Sequence, residues 1–311
     1  MTRMHAIVQS AFGGPEVLTP TETDVPEPGP GEVLVRVGGA GINPGDAVLR
    51  AGRVPDLVPL PWTPGNDVAG TVERVGPGVT RFAPGDEVYG MLPVSPRGAY
   101  AEYVAAPAAA LAPKPRNLTA VEAAAVPLVA ITAWQALAVL ARVRRGDRVL
   151  IHAAAGGVGH VAVQLAREFG AYVVGTARPA KHNWLRELGA DEVIDYTAVD
   201  FRTAVTPVDV VLDLVGGAYG PRSLDVLRPG GLLVGAAIDP GTDEHEATAR
   251  GLRYTWVTAE PSGRALEPIT DRIEAGRLRV SVARTYPLAE AAAAHRAIEE
   301  KQTAGKLVLV P

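Results

Sequence analysis

The stretch Arg148-Val149-Leu150-Ile151-His152-Ala153-Ala154-Ala155-Gly156-Gly157-Val158-Gly159 decides the reading of this chain. Arg148 to Ala153 reads as a strand, and the glycines after it open a helix. That helix places Val158, Val161, Ala162, Leu165, Ala166 and Phe169 on one apolar stripe at helical spacing. From Ala154 to Gly159 the loop follows Gly-x-Gly-x-x-Gly with alanine at the first position. Gly156 lets a pyrophosphate approach the backbone, and Gly159 lets the helix pack closely on the strand. The helix N-terminus offers free N–H groups and a positive dipole end to phosphate oxygens. An ordinary strand-to-helix turn is the bland alternative. A second strand, Tyr172 to Thr176, follows in the right order, and the whole succession favours a dinucleotide site.

Downstream, strands and helices keep alternating. Ala180 to Leu188 reads as a helix ended by Gly189, followed by strands at Glu192–Tyr196 and Val208–Val215. A short helix, Ser223–Leu227, is stopped by Pro229-Gly230-Gly231, and further strands read at Leu232–Ile238 and Arg253–Thr258. Such alternation calls for a parallel, doubly wound sheet. Upstream the grammar differs. Strands at Glu32–Val37 and Val68–Val75 are set among turn signals such as Pro28-Gly29-Pro30-Gly31, Asn43-Pro44-Gly45-Asp46 and Pro84-Gly85-Asp86. After Pro261 come two helical segments and a last strand, Lys306–Val310, whose position suggests a return to the first domain. The expected fold class is α/β, with a β-rich domain over 1–122 and 262–311 and a dinucleotide-binding domain over 123–261.

The chain has 311 residues, enough for two domains, and 47% of them are hydrophobic. A net charge of −4 without long runs of one sign argues against nucleic-acid or anionic-membrane partners. No cysteine is present, which excludes thiol nucleophiles and cysteine-ligated metals and fits a reducing cytoplasm. Ala123 to Ala141 lacks charged residues, but Pro127, Thr132 and Gln135 make it a buried, interrupted helix in preference to a membrane span. None of the six histidines pair at metal-ligand spacing, and no Gly-x-Ser-x-Gly occurs.

Cofactor choice is read at the end of the second strand. An NAD site usually carries a carboxylate there for the ribose 2′-hydroxyl. This chain has Gly175-Thr176-Ala177-Arg178 and then Lys181, two cations suited to the 2′-phosphate of NADPH. Taken singly, either could be a solvated surface charge.

Several further segments join the glycine loop in one resemblance: Met4-His5-Ala6-Ile7-Val8, Gly41-Ile42-Asn43-Pro44-Gly45-Asp46, Gly65-Asn66-Asp67-Val68-Ala69-Gly70, Gly98-Ala99-Tyr100-Ala101-Glu102-Tyr103 and Ala304-Gly305-Lys306-Leu307-Val308-Leu309. With them the chain resembles the zinc-independent medium-chain dehydrogenases/reductases of the quinone oxidoreductase branch. The resemblance implies a GroES-like catalytic domain built from both ends of the chain, a Rossmann domain, and an active site in a cleft. It implies NADPH-dependent hydride transfer to quinones or to the C=C bond of α,β-unsaturated carbonyls. An enoyl reductase tailoring a biosynthetic intermediate is the alternative enzyme, and a non-catalytic NADPH-binding protein the alternative from another class.

By the same resemblance, Asn43 and Thr132 lie near the nicotinamide, and Arg178, Lys181 and Tyr196 surround the 2′-phosphate. Ala155, Gly156, Gly157, Val158, Gly159, Thr176, Val215, Gly216, Ala236, Ala237, Ile238 and Lys306 complete the expected cofactor contacts. A homodimer would pair the edge strand near Arg253–Thr258. Zinc-dependent relatives carry Cys where Asn43 stands and His-Glu where Asn66-Asp67 stands, so alcohol dehydrogenase chemistry through a metal is disfavoured. Asn43 is the first catalytic candidate, its alternative being a turn-forming residue before Pro44. Arg50 is the second, its alternative a solvated arginine. A tyrosine common in the branch two positions before that arginine is replaced by Val48, which leaves substrate class more open than cofactor class.

Overall fold

Alternating apolar residues near the start of the chain pair first with their own neighbours. The structure, a computed structural model, describes residues 2–311. Strand β1 (Arg3–Val8) lies antiparallel to β2 (Thr19–Asp24). The larger sheet of this unit grows around β3 (Glu32–Ile42), which pairs antiparallel with β4 (Asp67–Val75) and β6 (Tyr103–Pro107). On the far side of β4 follow β5 (Glu87–Met91) and β7 (Leu111–Pro113). Val33, Val35, Val68, Val72, Val88 and Leu111 fill one core between these strands.

Strand β3 runs five residues past the expected Glu32–Val37. Its extension holds Gly38, Gly39 and Gly41, glycines that act through close packing, not turning. A Cβ on Gly41 would meet the Ala124 carbonyl oxygen at 2.3 Å, so the helix Ala120–Ala124 can lie on the strand only if glycine stands there.

The second unit spans Val129–Ala259. Its six strands are β8 (Arg148–Ile151), β9 (Tyr172–Thr176), β10 (Glu192–Ile194), β11 (Val208–Asp213), β12 (Leu227–Gly235) and β13 (Arg253–Trp256). All pair in parallel, in the order β10-β9-β8-β11-β12-β13. The order reverses between β8 and β11. In open parallel sheets, ligands bind outside the carboxyl ends of the strands at such a reversal. This is the GroES-like plus Rossmann architecture of the α/β class.

Two local expectations change. The helix expected at Ser223–Leu227 lies earlier, at Tyr219–Leu224, and β12 starts at Leu227 instead of Leu232. Leu227 sits opposite Val208 and Leu232 opposite Val210, so Arg228-Pro229-Gly230-Gly231 bulges out of the strand without ending it. Among the described residues no helix is long and apolar enough to cross a membrane. Ala123–Ala141 is split between the end of one short helix, Pro127–Trp134 and a π-helical stretch, Gln135–Leu140.

Beyond Ala259 the chain rejoins the first unit, which comprises the chain through Leu128 together with Glu260–Pro311. Helices Gly263–Glu274 and Ala291–Glu299 flank β14 (Val282–Pro287), a strand the sequence did not announce because only Tyr286 of it and no alternating face is buried. It pairs in parallel with β15 (Lys306–Val310), and β15 pairs antiparallel with β3, setting Leu307 opposite Ile42.

Candidate active site

The glycine loop begins at the carboxyl end of β8. Ala153 takes φ of 48°, a left-handed conformation that costs a non-glycine residue roughly 1–2 kcal/mol. Hydrogen bonds hold it there. Its N–H donates to Thr176 Oγ1 at 3.3 Å, its carbonyl accepts from Gly156 N at 2.9 Å, and Ala154 N donates to the Thr176 carbonyl at 3.1 Å. The helix Gly157–Glu168 follows, with Gly156 as an N-cap that supplies no side-chain hydrogen bond. Its first turn therefore keeps N–H donors that a side-chain cap would otherwise have satisfied. Gly156, Gly157 and Val158 are half-buried and Gly159 is buried against the strand. This cradle fits a pyrophosphate.

His152, two residues before the loop, carries a role that no motif in the sequence marks. It is fully buried, with its ring edge-on to Phe201 at 4.6 Å and to Tyr219 at 5.0 Å. Ser223 Oγ donates to the Tyr219 carbonyl at 2.7 Å, so it accepts from His152 Nε2–H at 3.0 Å. That leaves Nδ1 to accept the Thr176 hydroxyl at 3.3 Å. The imidazole thus joins β8 to the end of β9 beneath the loop. The signal in the sequence was a polar residue closing the apolar run Val149-Leu150-Ile151.

Burial, helped by Arg222, pushes the His152 pKa down to about 3. The unfolded chain then binds a proton that the native one refuses, so this group's contribution is intact above about pH 6.5 and is lost as pH falls toward 3. A glutamine side chain in its place would keep a donor and an acceptor without titrating. His152→Gln should therefore lose about 2 kcal/mol less stability than the parent protein between pH 7 and pH 5. Urea unfolding at both pH values measures the difference; identical pH dependence would show that His152 takes up a proton as readily in the native state as in the unfolded chain.

At the end of β9, Arg178 is exposed and its Nε donates to Tyr196 Oη at 3.1 Å. Lys181 is half-buried one short 3-10 turn later. Neither forms an ion pair among the described residues. The carboxyl ends of β11 and β12 lie along the same edge of the sheet. Asp213 Oδ1 accepts from Val215 N at 2.9 Å and Gly216 N at 3.0 Å, while Ala236 N donates to the Asp213 carbonyl at 2.9 Å. Val215 and Ile238 are exposed there, Ala236 and Ala237 more buried. Exposed apolar side chains at this edge suit the flat faces of a dinucleotide. Thr132 is buried in the helix Pro127–Trp134.

In the other unit, Asn43 ends the β3 segment and caps the helix Pro44–Arg50. Its N–H donates to Asp46 Oδ2 at 2.9 Å, and the Asp46 N–H returns a bond to the Asn43 carbonyl at 3.0 Å. Its side chain is buried, with Nδ2 donating to Asp67 Oδ2 at 3.0 Å and Oδ1 accepting from Lys306 Nζ. Lys306 is therefore bound to protein oxygens. Asn66 Nδ2 donates to the Leu92 carbonyl at 2.9 Å.

Arg50 is not a solvated arginine. It is 2% exposed, with Nε on the Gly13 carbonyl at 3.1 Å, one terminal nitrogen on His295 Nδ1 at 3.1 Å and the other on Glu299 Oε1 at 2.5 Å. Arginine donates only, so His295 Nδ1 must be the acceptor there, and Nε2–H is directed at Tyr100 Oη, 3.3 Å away. Tyr100 in turn donates to Asp46 Oδ2 at 2.9 Å. Burial and Arg50 push His295 down to about 3, and burial pushes Asp46 up to about 6. This chain of donors ties Arg50 to the turn that presents Asn43, so Arg50 supports that turn from behind.

Residues 29–116 match the alcohol dehydrogenase GroES-like domain family, and residues 188–309 match the zinc-binding dehydrogenase family. The chain is 38% identical to a 2-haloacrylate reductase of Burkholderia sp, with 99% of each protein covered. The quinone oxidoreductase of Coxiella burnetii superposes with a TM-score of 0.94 at 35% identity, covering 100% of both chains. The quinone oxidoreductase of Escherichia coli, solved in complex with NADPH, superposes with a TM-score of 0.91 at 31% identity, covering 99% of this chain and 100% of that one.

Proposed function

Because the chain belongs to the medium-chain dehydrogenases/reductases, in their quinone oxidoreductase branch, we propose that it is an NADPH-dependent reductase of quinones or of C=C bonds conjugated to a carbonyl, working without zinc. The observation that carries this is the uncapped, glycine-lined helix start beyond β8, with Arg178 bonded to Tyr196 where an NAD site would hold a carboxylate. When bound there, the dinucleotide supplies the hydride. The protein's part is to hold and orient. The helix N-terminus takes the pyrophosphate, Arg178 and Lys181 take the 2′-phosphate, and Asn43 and Thr132 serve the nicotinamide end. The name of the Burkholderia relative supports the conjugated C=C arm, since a haloacrylate carries a C=C bond next to a carboxyl group. The Asn43 carboxamide and both Asp67 oxygens bind protein partners, and Asn66 Nδ2 donates to the Leu92 carbonyl, which supports a reaction without zinc.

The test is NADPH oxidation, followed by cofactor absorbance, over a panel of quinones, enones and enals with and without a chelator. Turnover unaffected by the chelator is expected. Tight NADPH binding with no turnover on any acceptor would favour a non-catalytic binding protein instead. We also propose a homodimer through β13, which is the last strand of its sheet and leaves Tyr254 and Trp256 partly exposed. Sedimentation at micromolar concentration should give twice the chain mass; a monomer there would remove the proposal.

A further inference from the structure

Three strands that lie side by side, β15, β3 and β4, bring Lys306, Asn43 and Asp67 to one end of their sheet. All three side chains are buried: Lys306 is 3% exposed, Asn43 1% and Asp67 0%. The Lys306 ammonium donates to the Ile42 carbonyl at 2.9 Å, to Asp67 Oδ2 at 3.2 Å and to Asn43 Oδ1. Asp67 Oδ2 also accepts from Asn43 Nδ2 at 3.0 Å, and Asp67 Oδ1 accepts from the Leu128 N–H at 2.9 Å.

The carboxamide of Asn43 therefore lies between a cation and an anion. Turned as it is, its oxygen meets the ammonium and its NH2 meets the carboxylate. Flipped by half a turn, it would set NH2 against the ammonium and C=O against the carboxylate, with both contacts repulsive in a buried site where charges are poorly screened. A neutral hydrogen-bonding neighbour could accept either orientation. A charge pair permits one.

We propose that Lys306 and Asp67 form an orientation clamp for the Asn43 carboxamide, which makes Lys306 a positioning residue for the reaction and not a ligand of the cofactor. This rests on the proposed function in one respect: Asn43 must face the reacting groups. The pair's value to folding is a separate matter. Replacing a whole buried ion pair with neutral groups is often harmless to stability, whereas removing one partner strands a buried charge.

That difference separates a clamp from a plain structural pair. Lys306→Met and Asp67→Asn should each lower the melting temperature. The double variant Lys306→Met/Asp67→Asn should regain most of the loss, because no buried charge is left unpaired. Its kcat at saturating NADPH and acceptor should nevertheless stay at least about tenfold down, with the NADPH dissociation constant, from cofactor fluorescence, within about twofold of the parent. Recovery of kcat together with melting temperature would overturn the clamp. A dissociation constant raised in both Lys306 variants would also overturn it, since Lys306 would then grip the cofactor directly.

Unfolding measurements read the clamp without any turnover. Asn43→Ala should cost clearly more stability in the parent than in the double variant, because only the parent holds the amide between two charges. Equal costs in both backgrounds would overturn the proposal even if the enzyme is active. A parent protein that turns over none of the acceptors would refute the function while leaving this coupling to stand or fall separately.

Discussion

Gly159→Ala should both destabilise the protein and weaken NADPH binding. A Cβ at this position would meet the Ala153 carbonyl oxygen at 2.4 Å and Cα and O of Ala154 at 2.7 Å each. Every one of these atoms is backbone at the exit of β8, held in place by the Thr176 bonds, so nothing can rotate aside. The helix Gly157–Glu168 must move away from the sheet. Overpacking of this kind costs about 1–3 kcal/mol, which for a domain of this size lowers the melting temperature by roughly 3–10 °C. Displacing the helix start also moves the donors meant for the pyrophosphate, so the NADPH dissociation constant should rise more than about tenfold.

Gly156→Ala is the informative contrast. There the added methyl would meet only the Ala153 carbonyl oxygen, at 3.2 Å. The fold should tolerate it, while the methyl stands where phosphate oxygens would approach. Calorimetry and cofactor fluorescence on both variants check the pair. If Gly159→Ala melts with the parent protein, the close packing of helix on strand is not what the glycine provides. If Gly156→Ala binds NADPH unchanged, the pyrophosphate lies elsewhere.

The second large effect concerns cofactor choice. Arg178→Ala should lower kcat/KM for NADPH by roughly ten- to a hundredfold and leave NADH nearly unchanged. A hydrogen bond to a charged group is worth about 1.5–3 kcal/mol, and about 1.4 kcal/mol corresponds to tenfold. Arg178 is exposed and its partner is the neutral Tyr196 hydroxyl, so its charge is available to a phosphate without breaking an ion pair. Only NADPH carries that phosphate. A loss shared equally by both cofactors would mean that Arg178 supports the strand end; no loss with either would mean that it is a surface charge.

The second unit was largely legible because its elements are local. The alternation of apolar strands with one-sided helices repeats within short stretches of chain, and the glycine loop sits where β8 and its helix predict it. The missed details there have local causes, such as the bulge that carries Pro229-Gly230-Gly231 inside β12. The environment of Asn43 was far less legible. Lys306 reaches it from more than 260 residues away through the pairing of β15 with β3, and Asp67 arrives through β4. No spacing in the sequence announces such a meeting. For the same reason Arg50 could not be told from a surface arginine, since its partners, the buried His295 and the exposed Glu299, come from the far end of the chain. Burial of a polar side chain is a property of the assembled sheet, and single-residue chemistry cannot report it.

Cofactor choice is decided by comparing kcat/KM for NADPH and NADH in the unmodified protein, on whichever quinone or conjugated carbonyl it reduces fastest. The arrangement of Arg178, Lys181 and Tyr196 predicts turnover with NADPH at least about tenfold more efficient than with NADH. Equal efficiency with the two cofactors, or a preference for NADH, would contradict it.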